Sequence, residues 1–238
     1  MAGYYDETLA AERLRTCYEI APPAARAYLE AEIAFVLGAI GPSHAVLELG
    51  CGYGRVLARL RNGRRQICGI DTSRASLRLA RRELGTSGEI ALAAMDALRL
   101  AFPDRLFDRV ICVQNGISAF HADPVALLRE ALRVTRPGGS ALFSSYADRF
   151  WEGRLAWFQA QSAHGLLGEI DREATGNGVI VCKDGFRATT FRARDFQRIG
   201  RAVGVAPRIE EVAGSSLFAE YPRRGPQFQG RPIRTRGV

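Results

Sequence analysis

The chain has 238 residues, of which 47% are hydrophobic, so it is long enough for one domain with a full core. No apolar run approaches the roughly 18 residues that a membrane-spanning helix needs. The first residues, MAGYYDE, are polar and acidic, unlike a secretory signal peptide. The five cysteines are scattered without a CxxC pair, which favours reduced thiols in a cytoplasmic protein over disulfides or a zinc site.

The net charge of +8 is concentrated at the C-terminus. Residues 222–238 hold five arginines and no acid, so this tail carries +5 and the rest of the chain +3. The tail is also rich in Pro and Gly, and we expect it to be disordered. Its arginines reflect either codon usage in a GC-rich genome or a nucleic-acid partner. Since no basic cluster interleaved with aromatic residues occurs before it, nucleic acid is the less favoured partner.

Two helices are predicted before the first strand, over 8–19 and 24–40, separated by Pro22-Pro23 and ended by Gly41-Pro42. Residues 1–42 could be plain packing or a lid over a binding site. We favour a lid, because two aromatic residues, Tyr4 and Tyr5, lie at its free end.

Short apolar runs then alternate with helical segments. The predicted strands cover 45–48, 66–71, 89–95, 107–114 and 141–145, and helices follow from 55, over 73–84 and over 123–134. Continuously apolar strands that alternate with helices indicate a parallel sheet with helices on both faces.

The pattern changes after Tyr146. Residues 146–191 are predicted to be an insertion on the acceptor side, with an aromatic helix-like stretch and a hairpin over 179–191. A helix over 195–203 and an antiparallel strand pair, 209–212 and 217–220, close the fold. We therefore predict one domain over 1–221: an α/β fold with a doubly wound, mostly parallel seven-stranded sheet.

The most informative stretch is Glu48-Leu-Gly-Cys-Gly-Tyr-Gly54, which reads as a strand end, a tight turn and a helix start. Glycine permits positive φ and lets a ligand approach the backbone closely. Asp71 follows Gly50 by 21 residues, at the end of the second strand. An acid at this distance accepts hydrogen bonds from ribose hydroxyls in nucleotide-binding folds. The third glycine comes one residue too early for the GxGxxG fingerprint of NAD sites, and Arg55 occupies the place of its last glycine.

With these motifs, the chain resembles the class I S-adenosylmethionine-dependent methyltransferases over residues 43–145. Besides the glycine stretch, the matching blocks are Asp71, Met95-Asp96-Ala97, Phe107-Asp108-Arg-Val and Leu132-Arg-Val-Thr-Arg-Pro-Gly-Gly139. The resemblance implies S-adenosylmethionine as methyl donor, S-adenosylhomocysteine as product, and no metal. It implies a ribose contact for Asp71, adenine contacts for Asp96 and Ala97, and a place for Glu48 and Gln114 near the methionine portion. The full implied cofactor set is Glu48, Gly50, Cys51, Gly52, Gly54, Asp71, Thr72, Asp96, Ala97 and Gln114.

Several acceptors are disfavoured by missing residues. Base and amide N-methyltransferases carry an Asn/Asp-Pro-Pro-aromatic motif where this chain has Gln114-Asn115-Gly116-Ile117. Ribose methyltransferases need two lysines and this chain has one; cytosine enzymes need a Pro-Cys nucleophile, which it lacks. Metal-dependent catechol-type enzymes carry acids near the end of the fourth strand, where this chain has Gln114 and Asn115. A small molecule or peptide, methylated at O, N or S, is the favoured acceptor.

The acceptor pocket should lie beyond the carboxyl ends of the strands. His121 is the candidate base, since imidazole titrates near neutrality, although a capping or core role is as plausible. Candidate acceptor contacts are Tyr5, Asn115, Tyr146 and Trp151, while Trp157 and Phe158 are expected to form the core of the insertion. Three alternatives stay open: an RNA methyltransferase, a peptide methyltransferase, and a non-catalytic regulatory protein that binds S-adenosylmethionine. The sequence leaves monomer and homodimer equally open.

Overall fold

The computed structural model describes residue 4 and residues 8–61, 66–85 and 88–225. Up to Tyr146 the elements are α1 (Glu12–Glu19), α2 (Pro23–Ala39), β1 (Ala45–Leu49), α3 (Arg55–Leu60), β2 (Gln66–Asp71), α4 (Arg74–Leu84), β3 (Ile90–Ala94), β4 (Phe107–Cys112), α5 (Gly116–Ala119), α6 (Pro124–Val134) and β5 (Thr135–Tyr146). A 3₁₀ turn (Asp148–Phe150) then leads to α7 (Trp151–Ala163), β6 (Val179–Val181), β7 (Arg187–Thr189), α8 (Ala193–Ala202), β8 (Arg208–Val212) and β9 (Ser216–Pro222).

Within the described residues, seven strands form one sheet in the order β3-β2-β1-β4-β5-β9-β8. The first five run parallel, and β9 is antiparallel to both β5 and β8. The predicted doubly wound, mostly parallel sheet is therefore confirmed. Chain order reverses between β1 and β4, and ligands of such sheets bind at the carboxyl ends of the strands at this switch point.

Helices cover both faces of the sheet. Along β1, Leu47 packs with α6 and α8 on one face, and Val46 packs with α2, α3 and α4 on the other. The β1 strand is buried at every position, as expected for a central parallel strand. Asp108 fixes the neighbouring start of β1, because its Oδ2 accepts a hydrogen bond of 2.7 Å from the Ala45 amide.

Several element boundaries differ from the sequence-based prediction, and three of these differences have a clear physical cause. α1 begins at Glu12 rather than residue 8, since Ala11 has a φ of 50°. β4 ends at Cys112 rather than Gln114, because Gln114 and Asn115 take left-handed φ values of 56° and 58°. β5 begins at Thr135 rather than Ala141, so the Pro-Gly-Gly stretch belongs to the strand. Gly139 is needed there, since a β-carbon would lie 2.4 Å from the Asp108 carbonyl oxygen.

The N-terminal segment and the insertion share a third core. Tyr28, Tyr146, Trp157 and Phe186 pack there with residues of α1. The indole Nε1 of Trp157 donates a hydrogen bond of 2.8 Å to the Cys17 carbonyl, which joins α7 to α1. The two predicted additions to the sheet therefore form one layer over its carboxyl edge.

The predicted tail lies outside the described residues from 226 onward, but its first residues belong to the fold. Pro222 ends β9, and the Arg223 amide donates a hydrogen bond of 2.9 Å to the Gly139 carbonyl. The Arg223 guanidinium donates to the carbonyls of Leu132 and Arg133, at the end of α6. The predicted start of a disordered tail at residue 222 is therefore too early.

Two further features concern the described part of the chain. None of its helices has both the length and the apolar content that crossing a bilayer would require. The five cysteines are all free and buried.

Candidate active site

A cavity of about 730 Å³ lies at the carboxyl edge of the sheet, under α1 and α7. Its floor is the turn that follows β1, together with the ends of β2 and β4. The implied cofactor residues that line it are Glu48, Gly50, Cys51, Gly52, Asp71, Thr72, Asp96, Ala97 and Gln114. Residues from distant parts of the sequence therefore meet at one site.

The glycine turn has left-handed φ values of 70° at Gly50 and 54° at Gly52. A β-carbon at Gly50 would lie 3.0 Å from the Phe120 ring, and one at Gly52 would lie 2.9 Å from Leu14. Both positions line the cavity, and the missing side chains let Phe120 and Leu14 pack closely against the turn. Cys51 is buried, and its amide donates to the Ile70 carbonyl at 2.9 Å, which ties the turn to β2.

Gly54 is the one implied cofactor residue of the turn that does not line the cavity. It precedes α3 with a φ of 86°, and a β-carbon there would lie 2.8 Å from Leu84 of α4. The third glycine of the motif therefore serves the packing of α3 against α4.

Asp71 connects the glycine turn to the end of β2. Its Oδ2 accepts a hydrogen bond of 2.8 Å from the Gly52 amide, and its Oδ1 accepts one of 2.8 Å from the Ser73 amide. A carboxylate oxygen can accept more than one hydrogen bond. Asp96 is exposed on the same side of the cavity, and its Oδ1 accepts from the Leu98 amide at 2.8 Å. Ala97 is buried beside it.

Three polar side chains at the other end of the turn have buried hydrogen-bonding atoms that are unused. These are Oε2 of Glu48, Nε and Nη2 of Arg55, and Nε2 of Gln114, none of which has a partner among the described residues. Burial, with a smaller effect of Asp71, raises the pKa of Glu48 to about 8, although the Arg55 charge acts in the opposite direction. Such groups are costly to bury unpaired, so this end of the cavity suits a ligand with both an acceptor and a donor of hydrogen bonds.

Gln114 and Arg55 are held by residues that the sequence analysis did not single out. The Tyr18 hydroxyl donates a hydrogen bond of 2.9 Å to Oε1 of Gln114, and the Arg55 guanidinium lies 4.8 Å from the Tyr18 ring centre. The backbone N–H of Gln114 donates hydrogen bonds to Oε2 of Glu32 at 3.0 Å and to Oγ of Ser144 at 2.8 Å. These contacts stabilise the strained left-handed conformation of Gln114.

Glu32 is fully buried on α2, and burial raises its pKa to about 7. It lies four residues after Tyr28 on the apolar face of its helix. An acid at such a position is the sequence signal that could have identified it.

Of the candidate catalytic residue and acceptor contacts, some line the cavity and others do not. His121 is exposed at the rim of the cavity, with a φ of 47°. Tyr146 lines the cavity from below, and burial raises the pKa of its hydroxyl to about 12, so it stays protonated at neutral pH. Asn115 is buried away from the cavity, where its Oδ1 accepts a hydrogen bond of 2.7 Å from Ser145. Tyr5 lies outside the described residues.

Trp151 lines a second, smaller cavity of about 290 Å³ on the far side of Tyr146. The buried guanidinium of Arg154 forms part of its wall and lies 4.3 Å from the Tyr146 ring centre. Trp157 and Phe158, which were expected in the core of the insertion, are buried there and also line the main cavity. The residues that the structure describes contain no cluster of three or more His, Cys, Asp or Glu suited to a metal ion.

Comparison with known proteins adds to this geometry. A family model described as a methyltransferase domain matches residues 46–139. A Synechocystis 2-methyl-6-phytyl-1,4-hydroquinone methyltransferase is 30% identical over 150 residues, covering 55% of this chain. A Brevibacillus brevis malonyl-[acyl-carrier protein] O-methyltransferase is 24% identical over 75% of this chain and 72% of its own length. The chain spans only 46% of the length of the Synechocystis relative.

Solved structures agree in fold. The magnesium protoporphyrin IX methyltransferase of Synechocystis, with bound S-adenosylhomocysteine, superposes with a TM-score of 0.64 at 16% identity, covering 92% of this chain and 96% of that one. The match over residues 46–139, the order of the sheet and the motif residues gathered at its carboxyl edge identify this part of the chain as a class I S-adenosylmethionine-dependent methyltransferase domain.

Proposed function

We propose that this protein transfers a methyl group from S-adenosylmethionine to an O, N or S nucleophile of a small-molecule acceptor. One observation carries the proposal: a single cavity holds acids suited to a ribose and an adenine at one end and unsatisfied buried donors and acceptors at the other. The cofactor's nucleoside and amino-acid portions need these two kinds of partner.

The residues present fit the cofactor. Asp71 is an acceptor suited to ribose hydroxyls, and Asp96 with the Ala97 backbone can hold the adenine. Arg55 and Nε2 of Gln114 offer donors to a carboxylate, while Oε2 of Glu48 offers an acceptor to an ammonium group. Gly50 and Gly52 line the cavity with backbone alone, which lets a ligand approach the backbone without a side chain of the turn in its way.

When bound, S-adenosylmethionine supplies a methyl group activated by a positively charged sulfur. The chain's own contribution is to align the acceptor with that methyl group and to exclude water. α1 and α7 are placed for this work, because they cover the cavity and are joined by the hydrogen bond from Trp157 to Cys17. His121 at the rim is the candidate base for acceptors that carry a proton. Curated relatives named for quinol, fatty-acid and carrier-protein substrates support a small or carrier-bound acceptor.

Calorimetry with the full chain tests the proposal. We expect S-adenosylmethionine and S-adenosylhomocysteine to bind and NAD not to bind. Asp71→Ala should weaken binding of S-adenosylhomocysteine by about 10- to 100-fold, because a methyl group cannot accept hydrogen bonds. Asp71→Asn, which keeps one acceptor oxygen, should lose less, and the exposed Asp104→Ala should lose nothing. Absence of binding by both adenosyl compounds at millimolar concentration in the folded wild type would overturn the assignment.

A further inference from the structure

The cavity has a second part that the cofactor residues leave unused. Its walls come from α1, from the segment after α5 and from α7, and we term it the acceptor half. It is lined chiefly by Leu9, Leu14, Phe120, Trp157, Phe158 and Gln161. His121 stands at its rim, where it is exposed to solvent.

Charge is absent from the acceptor half as far as the structure describes the chain. The charged residues that line the cavity are Glu48, Arg55, Asp71 and Asp96, and all of them follow or end the sheet strands. Arg55 faces the buried acids Glu48 and Glu32, whose pKa values it lowers. An ionised acceptor would be desolvated beside apolar walls without a counter-ion, which is strongly unfavourable. The part of the acceptor that enters should therefore be neutral.

The walls are aromatic and fixed. The Trp157 ring centre lies 6.1 Å from that of Phe158 at 68° and 5.9 Å from that of Tyr18 at 52°. The indole N–H is already used by the Cys17 carbonyl, so Trp157 offers only ring surface. Rigid rings at tilted angles favour a flat aromatic partner, which gains edge or offset contacts beyond simple burial of area.

One polar side chain of the acceptor half, that of Gln161, could form a hydrogen bond with the acceptor. Gln161 is 4% exposed and lies four residues after Trp157, on the same face of α7. Its carboxamide has no hydrogen bond to any residue that the structure describes, although the side chain lines the cavity. A carboxamide can donate two hydrogen bonds and accept two, so one that lines the cavity is available to a ligand. A ligand oxygen in the acceptor half could accept one of these hydrogen bonds.

From these observations we infer that the acceptor is a neutral hydroxyarene, a phenol or hydroquinone, whose ring packs in the acceptor half and whose oxygen is hydrogen-bonded by Gln161. The inference rests on the proposed methyl transfer. In that reaction the aryl oxygen forms a bond to the methyl carbon, the carbon–sulfur bond breaks with its electron pair left on sulfur, and the phenolic proton is released to water or to His121. A phenol ionises with a pKa of about 10, as tyrosine does, so it needs a weaker base than an aliphatic alcohol. His121 at the rim is the candidate base among the described residues of the acceptor half.

Binding of matched probes to the full chain saturated with S-adenosylhomocysteine tests the inference. The probes are 2-naphthol, its anionic counterpart 2-naphthoate, and the aliphatic alcohol decanol, measured by calorimetry. We expect 2-naphthol to bind at least about tenfold more tightly than either of the others, a difference of about 1.4 kcal/mol. Gln161→Leu should weaken 2-naphthol binding about fivefold or more and leave S-adenosylhomocysteine binding unchanged. Gln159→Leu, an exposed position on the same helix, is the control and should change neither affinity.

The outcomes separate the two proposals. If S-adenosylhomocysteine itself fails to bind, the proposed function fails. If it binds but 2-naphthoate or decanol equals 2-naphthol, or if no probe binds at millimolar concentration, the acceptor class is overturned while the proposed function stands. Equal affinity of wild type and Gln161→Leu for 2-naphthol would remove Gln161 from recognition.

Discussion

At the scale of single residues, the charge on Glu48 connects the stability of the fold to its site. The side chain is buried at the end of β1 beside the glycine turn, with Oε2 unpaired among the described residues. Burial raises its pKa from 4.5 to about 8, so the folded chain retains a proton that the unfolded chain has released. The free energy of unfolding therefore falls as pH rises across this window. The ionised Glu48 carboxylate lowers the free energy of unfolding unless a bound ligand donates a hydrogen bond to it.

Glu48→Gln should remove this dependence. The amide keeps the shape of the side chain and cannot ionise, so we expect the variant to gain about 2–4 kcal/mol relative to wild type between pH 5 and pH 8.5. Urea unfolding at several pH values, without ligand, measures the difference. Glu32, whose pKa is raised in the same direction, is present in both proteins and cancels in the comparison. Parallel stability curves for the two proteins would show that Glu48 is ionised throughout.

The positions of residues in a local motif were predictable, whereas positions that depend on tertiary contacts were not. Gly50, Gly52 and Asp71 lie in the cavity as expected, because a strand–turn–helix unit fixes their geometry by itself. Asn115 and Trp151 were placed by proximity in sequence, but Asn115 turns inward to Ser145 and Trp151 faces the smaller cavity. Gln161 could not be identified, since its importance depends on what α1 places opposite it.

At the scale of elements, the last strand is fastened to the end of a neighbouring helix. The Arg223 guanidinium follows β9 and donates to the carbonyls of Leu132 and Arg133, which close α6. The last carbonyls of a helix lack partners within the helix, and a cation there also suits the helix dipole. An arginine that composition assigned to a disordered tail is thus a helix cap.

Arg223→Ala should lower stability by about 1 kcal/mol, or roughly 2–4 °C in Tm, because those carbonyls lose a charged donor. Its neighbour Arg224 is exposed and provides the matched control, since Arg224→Ala removes the same charge without the contact. Thermal unfolding followed by circular dichroism distinguishes the two. Equal melting temperatures for both variants would show that Arg223 does not stabilise the end of α6.

Element boundaries were harder to predict than element types for a related reason. The Pro137-Gly138-Gly139 stretch is a turn signal by composition, yet it continues β5 because Gly139 passes directly against the Asp108 carbonyl. β4 ends early because the contacts of Glu32 and Ser144 hold the chain in a left-handed conformation at Gln114. Both outcomes depend on neighbours that are distant in sequence.

At the scale of the whole molecule, the parallel sheet would provide the donor site of the proposed reaction, and the added layer provides the walls of the acceptor half. The continuously apolar strands and their spacing were enough to predict the sheet and the helices that alternate with its strands. The layer formed by α1, α7 and the hairpin β6–β7 could be located but not described in detail, because its third core joins residues more than a hundred positions apart. The specificity of the proposed reaction depends on this layer.

A crystal structure of the full chain with S-adenosylhomocysteine is the most direct test of the central claim. We expect the ribose at Asp71, the adenine beside Asp96 and Ala97, the amino-acid portion among Glu48, Arg55 and Gln114, and the sulfur open toward Trp157 and Gln161. A ligand bound outside this cavity, or one whose sulfur faces away from the acceptor half, would contradict the account.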